Sequence, residues 1–196
     1  MKKIITLIAI LAVSLSLSAQ GKPEGLFINS KAPDFKVKDQ SGMEVSLKEL
    51  RKKGPVVLMF YRGNWCPYCN RHLAKMQDSL QLIAEKGATL VAITPEQAEG
   101  VAQTIDKTKA VYSILSDTEM KIAKAYKVDY AVDDRTVNRY KNAGIDLLQT
   151  NGQKGKAMLP VPAVYIINKD GAITYRFFEE DYKKRPSVRE LLAEIK

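Results

Sequence analysis

The sequence predicts an α/β fold: a central mixed sheet flanked by helices, with a β-hairpin at its N-terminal side. Three observations carry this. Short apolar runs at residues 56–61, 89–94, 111–115 and 163–167 read as buried strands. Segments of helical period separate the first three, the arrangement of crossover connections in a partly parallel sheet. The last run meets the turn Asn168-Lys169-Asp170-Gly171 and a partner strand over 172–178, which adds an antiparallel pair.

The chain opens on Met1-Lys2-Lys3, an apolar stretch over 4–17 and the small-residue site Ser18-Ala19-Gln20. This pattern predicts a cleavable signal peptide over 1–19, because the apolar core is too short for a membrane span and a polar stretch follows at once. No cysteine stands just after the cleavage site, so no lipid anchor is expected there. The expected location is periplasmic or secreted, a setting in which oxidised cysteines persist. The remaining stretch, 20–196, is about 175 residues, the size of one domain with a sizeable core. The net charge is +9, of which Lys2 and Lys3 supply two, and the rest is spread along the chain. Nucleic-acid binding calls for a concentrated basic face with stacking aromatics, and none is legible.

Residues 35–39 and 43–47 alternate apolar and polar around Gln40-Ser41-Gly42, a hairpin pattern. Ser46-Leu47-Lys48-Glu49 has the form of a capping box and starts a short helix that Gly54-Pro55 ends. After the strand over 56–61 comes the polar turn Arg62-Gly63-Asn64. Trp65-Cys66-Pro67-Tyr68-Cys69 then opens a long helix marked by Leu73, Met76, Leu80 and Ile83, with Gly87 as its stop. Pro95-Glu96-Gln97 reads as the start of a helix through about Lys107, and Ser116-Asp117-Thr118-Glu119 as the cap of one carrying Ile122, Ala123 and Tyr126. Residues 129–158 are less regular: a helix from Asp133 to about Asn142, then a glycine-rich loop over 151–156 without the G-x-x-x-x-G-K-[ST] phosphate pattern. This region is expected to be a surface insertion near the active face. An amphipathic helix over 187–195 closes the chain.

Chemistry concentrates in Cys66 and Cys69, the only two cysteines. Pro67 falls on the first helical position, where its missing N–H has no partner to lose. Cys66 therefore sits at a helix N-terminus, whose free N–H groups and dipole stabilise a thiolate, the attacking species of disulfide exchange. Cys69 lies one turn on, within reach of a mixed disulfide on Cys66. A structural zinc site wants four ligands and finds three at most, counting His72. Haem attachment needs His directly after the second cysteine, where Asn70 stands. A purely structural disulfide closes almost no loop at this spacing. No cofactor and no metal is expected.

These residues resemble the thioredoxin superfamily in its peroxiredoxin-like branch. Trp65 to Cys69 is similar to the W-C-x-x-C site of thioredoxins, with the Pro-Tyr dipeptide of glutaredoxins. Ala32-Pro33-Asp34-Phe35 and the following hairpin resemble the opening of peroxiredoxins and of periplasmic thiol-disulfide proteins. The resemblance covers residue 30 to the C-terminus and implies a thioredoxin-like fold. It also implies that Pro162 is the cis-proline facing the site, with Trp65, Pro67 and Arg62 as supporting residues. The peroxiredoxin pattern P-x-x-x-[TS]-x-x-C, laid on this chain, puts Arg62 at the proline, Cys66 at the hydroxyl residue and Cys69 at the peroxidatic cysteine. The arginine that pattern takes from a later strand is missing at 159–162. The buried acid of thioredoxins, six residues before the first cysteine, is Phe60 here, so proton acceptance for Cys69 must come from elsewhere. His72 is expected at a solvated helix position, and Tyr182 and Arg185 on the surface.

Three functions follow as expectations. In the first, a thiol-disulfide oxidoreductase cycles a Cys66–Cys69 disulfide on protein or small-molecule substrates, with electrons from a membrane thiol reductase. In the second, a thiol-dependent peroxidase uses Cys69 as peroxidatic and Cys66 as resolving cysteine. In the third, a thioredoxin-fold module binds partners without catalysis.

Overall fold

The computed structural model describes residues 22–196. The expected signal peptide, 1–19, lies outside the described residues. In chain order the elements are β1 (Lys36–Lys38), β2 (Glu44–Ser46), α1 (Leu47–Lys53), β3 (Val56–Phe60), α2 (Pro67–Asp78), α3 (Leu80–Glu85), β4 (Thr89–Thr94), α4 (Ala98–Thr108) and β5 (Ser113–Ser116). There follow α5 (Lys121–Ala125), β6 (Asp129–Ala131), α6 (Asp134–Asn142), α7 (Leu147–Asn151), β7 (Met158–Pro160), β8 (Ala163–Ile167), β9 (Ile173–Phe178) and α8 (Val188–Glu194).

β1 and β2 form the expected antiparallel hairpin. The Asp39 carboxylate holds its turn by accepting from the N–H groups of Ser41 and Met43 at 2.9 and 3.1 Å. Ser46 caps α1 through its side chain, which accepts from the Glu49 N–H. The central sheet has the order β5-β4-β3-β8-β9. β3 runs parallel to β4, and β4 to β5; β8 is antiparallel to both β3 and β9. This is the predicted mixed sheet.

Every residue of β3 is buried, because both faces of the sheet are covered. The side chains divide with the two-residue period of a strand. Val57 and Met59 join Leu73 and Met76 of α2, Ile83 of α3, Val101 of α4 and Leu191 of α8 on one face. Val56, Leu58 and Phe60 join Leu47 of α1 and Ile122 and Ala123 of α5 on the other.

Four local expectations change. The long helix after Cys66 is broken at Ser79, whose N–H is shared between the Lys75 and Met76 carbonyls, while the apolar spacing runs on across the break. The strand expected at 111 begins at Ser113; Val111 is exposed and its N–H bonds the Gln77 side chain. The helix expected from Pro95 begins at Ala98, which leaves Glu96 in the loop after β4. Residues 129–158 are more than a surface insertion. The antiparallel pair β6–β7 and helices α6 and α7 enclose their own small core of Val132, Leu147, Ala157 and Leu159, and Trp65 packs against it.

Candidate active site

The register of the sheet places the site. Phe60 at the end of β3 pairs with Ile93 of parallel β4, so Gly63 and Glu96, each three residues further on, emerge side by side. Phe60 also pairs with Ala163 of β8, which puts buried Pro162 at the same end of the sheet. The carboxyl ends of parallel strands are where α/β sheets build their sites.

Cys66 is the N-cap of α2 and Pro67 its first residue, as the sequence predicts. Both thiols are free and buried. The Cys69 thiol hydrogen-bonds Cys66, and this bond, with the charges of Arg62 and Arg185, outweighs burial and holds the Cys66 thiol at about 6, below its ordinary 9.0. Burial drives Cys69 the other way, well above 9.0, and its role as donor to Cys66 adds to the rise. The pair is thus split into one thiolate and one protonated thiol at neutral pH.

Arg62 is buried beneath three rings. Its guanidinium carbon lies 4.3 Å from the Tyr182 ring centroid, 4.8 Å from Trp65 and 5.5 Å from Tyr140, and the guanidinium donates to the Tyr140 hydroxyl. Cation–π contact compensates part of the desolvation of a buried cation. Trp65 stacks on Tyr140 at 5.0 Å, and Tyr68 meets Tyr182 edge-on at 5.8 Å. Tyr182 is exposed, as expected, while its ring covers Arg62. The expectation that Arg185 belongs to the surface is corrected, since it is half-buried. The loop after β9 folds back over α2, and Arg185 Nη2 donates to Cys69 Sγ at 3.3 Å. An arginine does reach the second cysteine, from a loop 116 residues away in sequence rather than from 159–162.

His72 is buried, not solvated. Cys69, His72, Leu73 and Met76 are the buried residues of α2, and spacings of three, four and seven from Cys69 put them on one helical face. Its Nε2 has no hydrogen-bond partner. Burial, with Arg185 and Lys75 nearby, lowers it to about 3 from 6.5, so the imidazole is neutral. Pro162 is also corrected: no cis peptide bond occurs among the described residues. β7 and the bond from the Val161 N–H to the Val128 carbonyl, at 2.7 Å, lead an extended chain into β8, and extended backbone before a proline suits the trans form.

A buried acid does lie beside the redox turn: Glu96, fully buried. Its carboxylate accepts from the Asn64 N–H at 2.8 Å and from Asn64 Nδ2 at 2.7 Å. Lys107 Nζ donates to Asn64 Oδ1 at 2.9 Å, closing a chain of polar groups against the redox turn. Burial pushes Glu96 up from 4.5 to about 7, against the lowering by the Asn64 bonds. Gly63 makes room for this group. It has φ +152°, and a Cβ there would stand 2.5 Å from Trp65 Nε1 and 2.8 Å from Glu96 Oε1. Among the described residues, no group of three or more His, Cys, Asp or Glu is placed to hold a metal ion.

The described chain thus has a thioredoxin-like sheet with a two-cysteine site at the carboxyl end of its central strand. Residues 28–176 match the AhpC/TSA family, and the chain belongs to that family. Among curated relatives, it is similar to peroxiredoxin Q, chloroplastic, of Oryza sativa subsp. japonica, 26% identical over 163 residues, 83% of this chain and 64% of that protein. It is also similar to the thiol-disulfide oxidoreductase ResA of Bacillus cereus, 25% identical over 163 residues, 83% of this chain and 76% of that one. The chain thus spans somewhat less than two thirds of the length of the peroxiredoxin Q relative. The crystal structure of peroxidoxin BcpB from Mycobacterium tuberculosis superposes with a TM-score of 0.66 at 22% identity, covering 86% of this chain and 95% of that one, a likeness of fold.

Proposed function

We propose that this protein is a thiol-disulfide oxidoreductase that cycles a Cys66–Cys69 disulfide. One observation carries the reading: two free thiols meet at a helix N-terminus, where Cys66 is the N-cap of α2 and buried Cys69 hydrogen-bonds it, which lowers the first thiol and raises the second. The Cys66 thiolate attacks a substrate disulfide, forms a mixed disulfide and releases one thiolate. Cys69 then attacks Cys66 Sγ, releases the second thiol and closes the protein disulfide, so two electrons pass to the substrate. Glu96 takes the Cys69 proton in that second step. Both thiols are buried, so a substrate reaches Cys66 when the groups over it move. A location outside the cytoplasm, with a membrane thiol reductase as electron source, is part of this proposal and is supported only by the signal-peptide pattern of residues 1–19. Among the described residues no helix is long and apolar enough to cross a membrane.

The contact of Arg185 with Cys69 favours a second reading, a thiol peroxidase acting through Cys69. A guanidinium at that sulfur supplies the donor that peroxide cleavage needs as hydroxide leaves.

Single-cysteine variants separate the two. Under the first reading Cys66→Ser loses reduction of insulin disulfides by about a thousandfold or more, and Cys69→Ser accumulates a mixed disulfide on Cys66. Under the second, Cys66→Ser forms sulfenic acid on Cys69 at micromolar peroxide, and a trapping dimedone adduct reads it. A Cys66→Ser protein that reduces insulin as well as the parent removes the oxidoreductase reading.

A further inference from the structure

Beside the redox turn lies a cleft of about 450 Å³ between α2 and the loop before α8, lined by Tyr68, Arg71, His72, Lys75, Lys183 and Arg185 along with the start of α8. Its lining holds four cations and no carboxylate. None of the four appears in an ion pair among the described residues, although lysines elsewhere on the surface pair with acids. At its wall stands His72, more than nine-tenths buried, with Nε2 unpartnered. Arg185 spans the distance from cleft to chemistry, since its guanidinium also donates to Cys69 Sγ.

An unmet buried donor or acceptor is costly unless a partner completes it, and solvent-exposed cations clustered beside it attract an anion. We infer that this cleft binds the carboxylates of small anionic disulfides and so sets the substrate class of the Cys66–Cys69 couple. The inference rests on the oxidoreductase reading above. A disulfide bearing carboxylates docks them against Arg71, Lys75 and Lys183, with its sulfurs toward the thiols. The Cys66 thiolate forms an S–S bond to one substrate sulfur and expels the other as thiolate. Cys69 then forms the Cys66–Cys69 bond, gives up its proton, and releases the second substrate sulfur. One disulfide is reduced to two thiols and one dithiol is oxidised.

The test uses the reduced full-length protein and three disulfides of similar size: 3,3′-dithiodipropionate (anionic), 2-hydroxyethyl disulfide (neutral) and cystamine (cationic). Oxidation of the protein is followed by stopped-flow Trp65 fluorescence. The expected result is a rate constant for the anionic disulfide about tenfold or more above that for the cationic one, a preference that shrinks with salt. Lys75→Glu and Lys183→Glu should each collapse that ratio, whereas Lys86→Glu, on the exposed end of α3, changes net charge equally and should keep it. Equal rates for all three disulfides, or equal losses in all three variants, would overturn the inference. A second arm needs no turnover. Suberate, a sulfur-free dicarboxylate of the same length, is titrated against the imidazole NMR signals of His72, the only histidine in the chain. Saturable shifts support the cleft as a carboxylate site, and their absence counts against it. If no disulfide reacts while suberate binds, the anion site stands and the oxidoreductase reading fails.

Discussion

Glu96→Gln is expected to change the pH dependence of stability by about 3 kcal/mol. Folding raises Glu96 from 4.5 to about 7, so between those values the folded protein binds a proton that the unfolded chain has lost. Each pH unit in that window costs the folded state about 1.4 kcal/mol. Stability from this group is therefore full below pH 4.5 and declines as pH rises to about 7. His72 works in the opposite sense: held at about 3 rather than 6.5, it destabilises the fold increasingly as pH falls below 6.5. In the parent the two slopes oppose each other between 4.5 and 6.5. The difference between parent and variant isolates Glu96, and urea unfolding at a series of pH values should show the parent losing ground to Glu96→Gln as pH rises. A constant difference would remove the buried-acid account. The same substitution is expected to slow resolution of the Cys66 mixed disulfide about a hundredfold near pH 7, because a base matched to the working pH is lost. The attack of Cys66 itself should be much less affected.

Cys69→Ala should raise the Cys66 thiol from about 6 toward 9.0, since the largest influence holding it down is the Cys69 hydrogen bond. Thiolate content at pH 7 then falls from roughly nine-tenths by about tenfold or more, and alkylation slows in proportion. Cys69→Ser keeps a donor at this position and should retain most of the depressed value. Matching behaviour of the two variants would assign the depression to Arg62, Arg185 and the helix terminus instead.

What the sequence made legible was local. The apolar run into Arg62-Gly63-Asn64, with Pro67 after Cys66, specifies strand, turn and helix N-terminus from neighbouring residues alone, and the structure has them. The hairpin and the Ser46 cap were legible for the same reason. Glu96 was not, because its place depends on the β3–β4 register: read alone, Pro95-Glu96-Gln97 is a helix start. Counting from the paired ends of two parallel strands would have set Glu96 beside Gly63. His72 was legible in principle, three residues from Cys69 on the face shared with Leu73 and Met76. Arg185 carried no signal, since it reaches Cys69 through an irregular loop. Tyr140 likewise reaches Arg62 from α6, in a segment whose packing comes from its own small core.

The most direct measurement is the pH profile of alkylation of the reduced protein, with each cysteine resolved by mass spectrometry of its peptide. The account predicts that Cys66 is modified first, half-maximally near pH 6, while Cys69 stays protected past pH 9. Modification of Cys69 first, or no reaction at Cys66 until about pH 9, would contradict it.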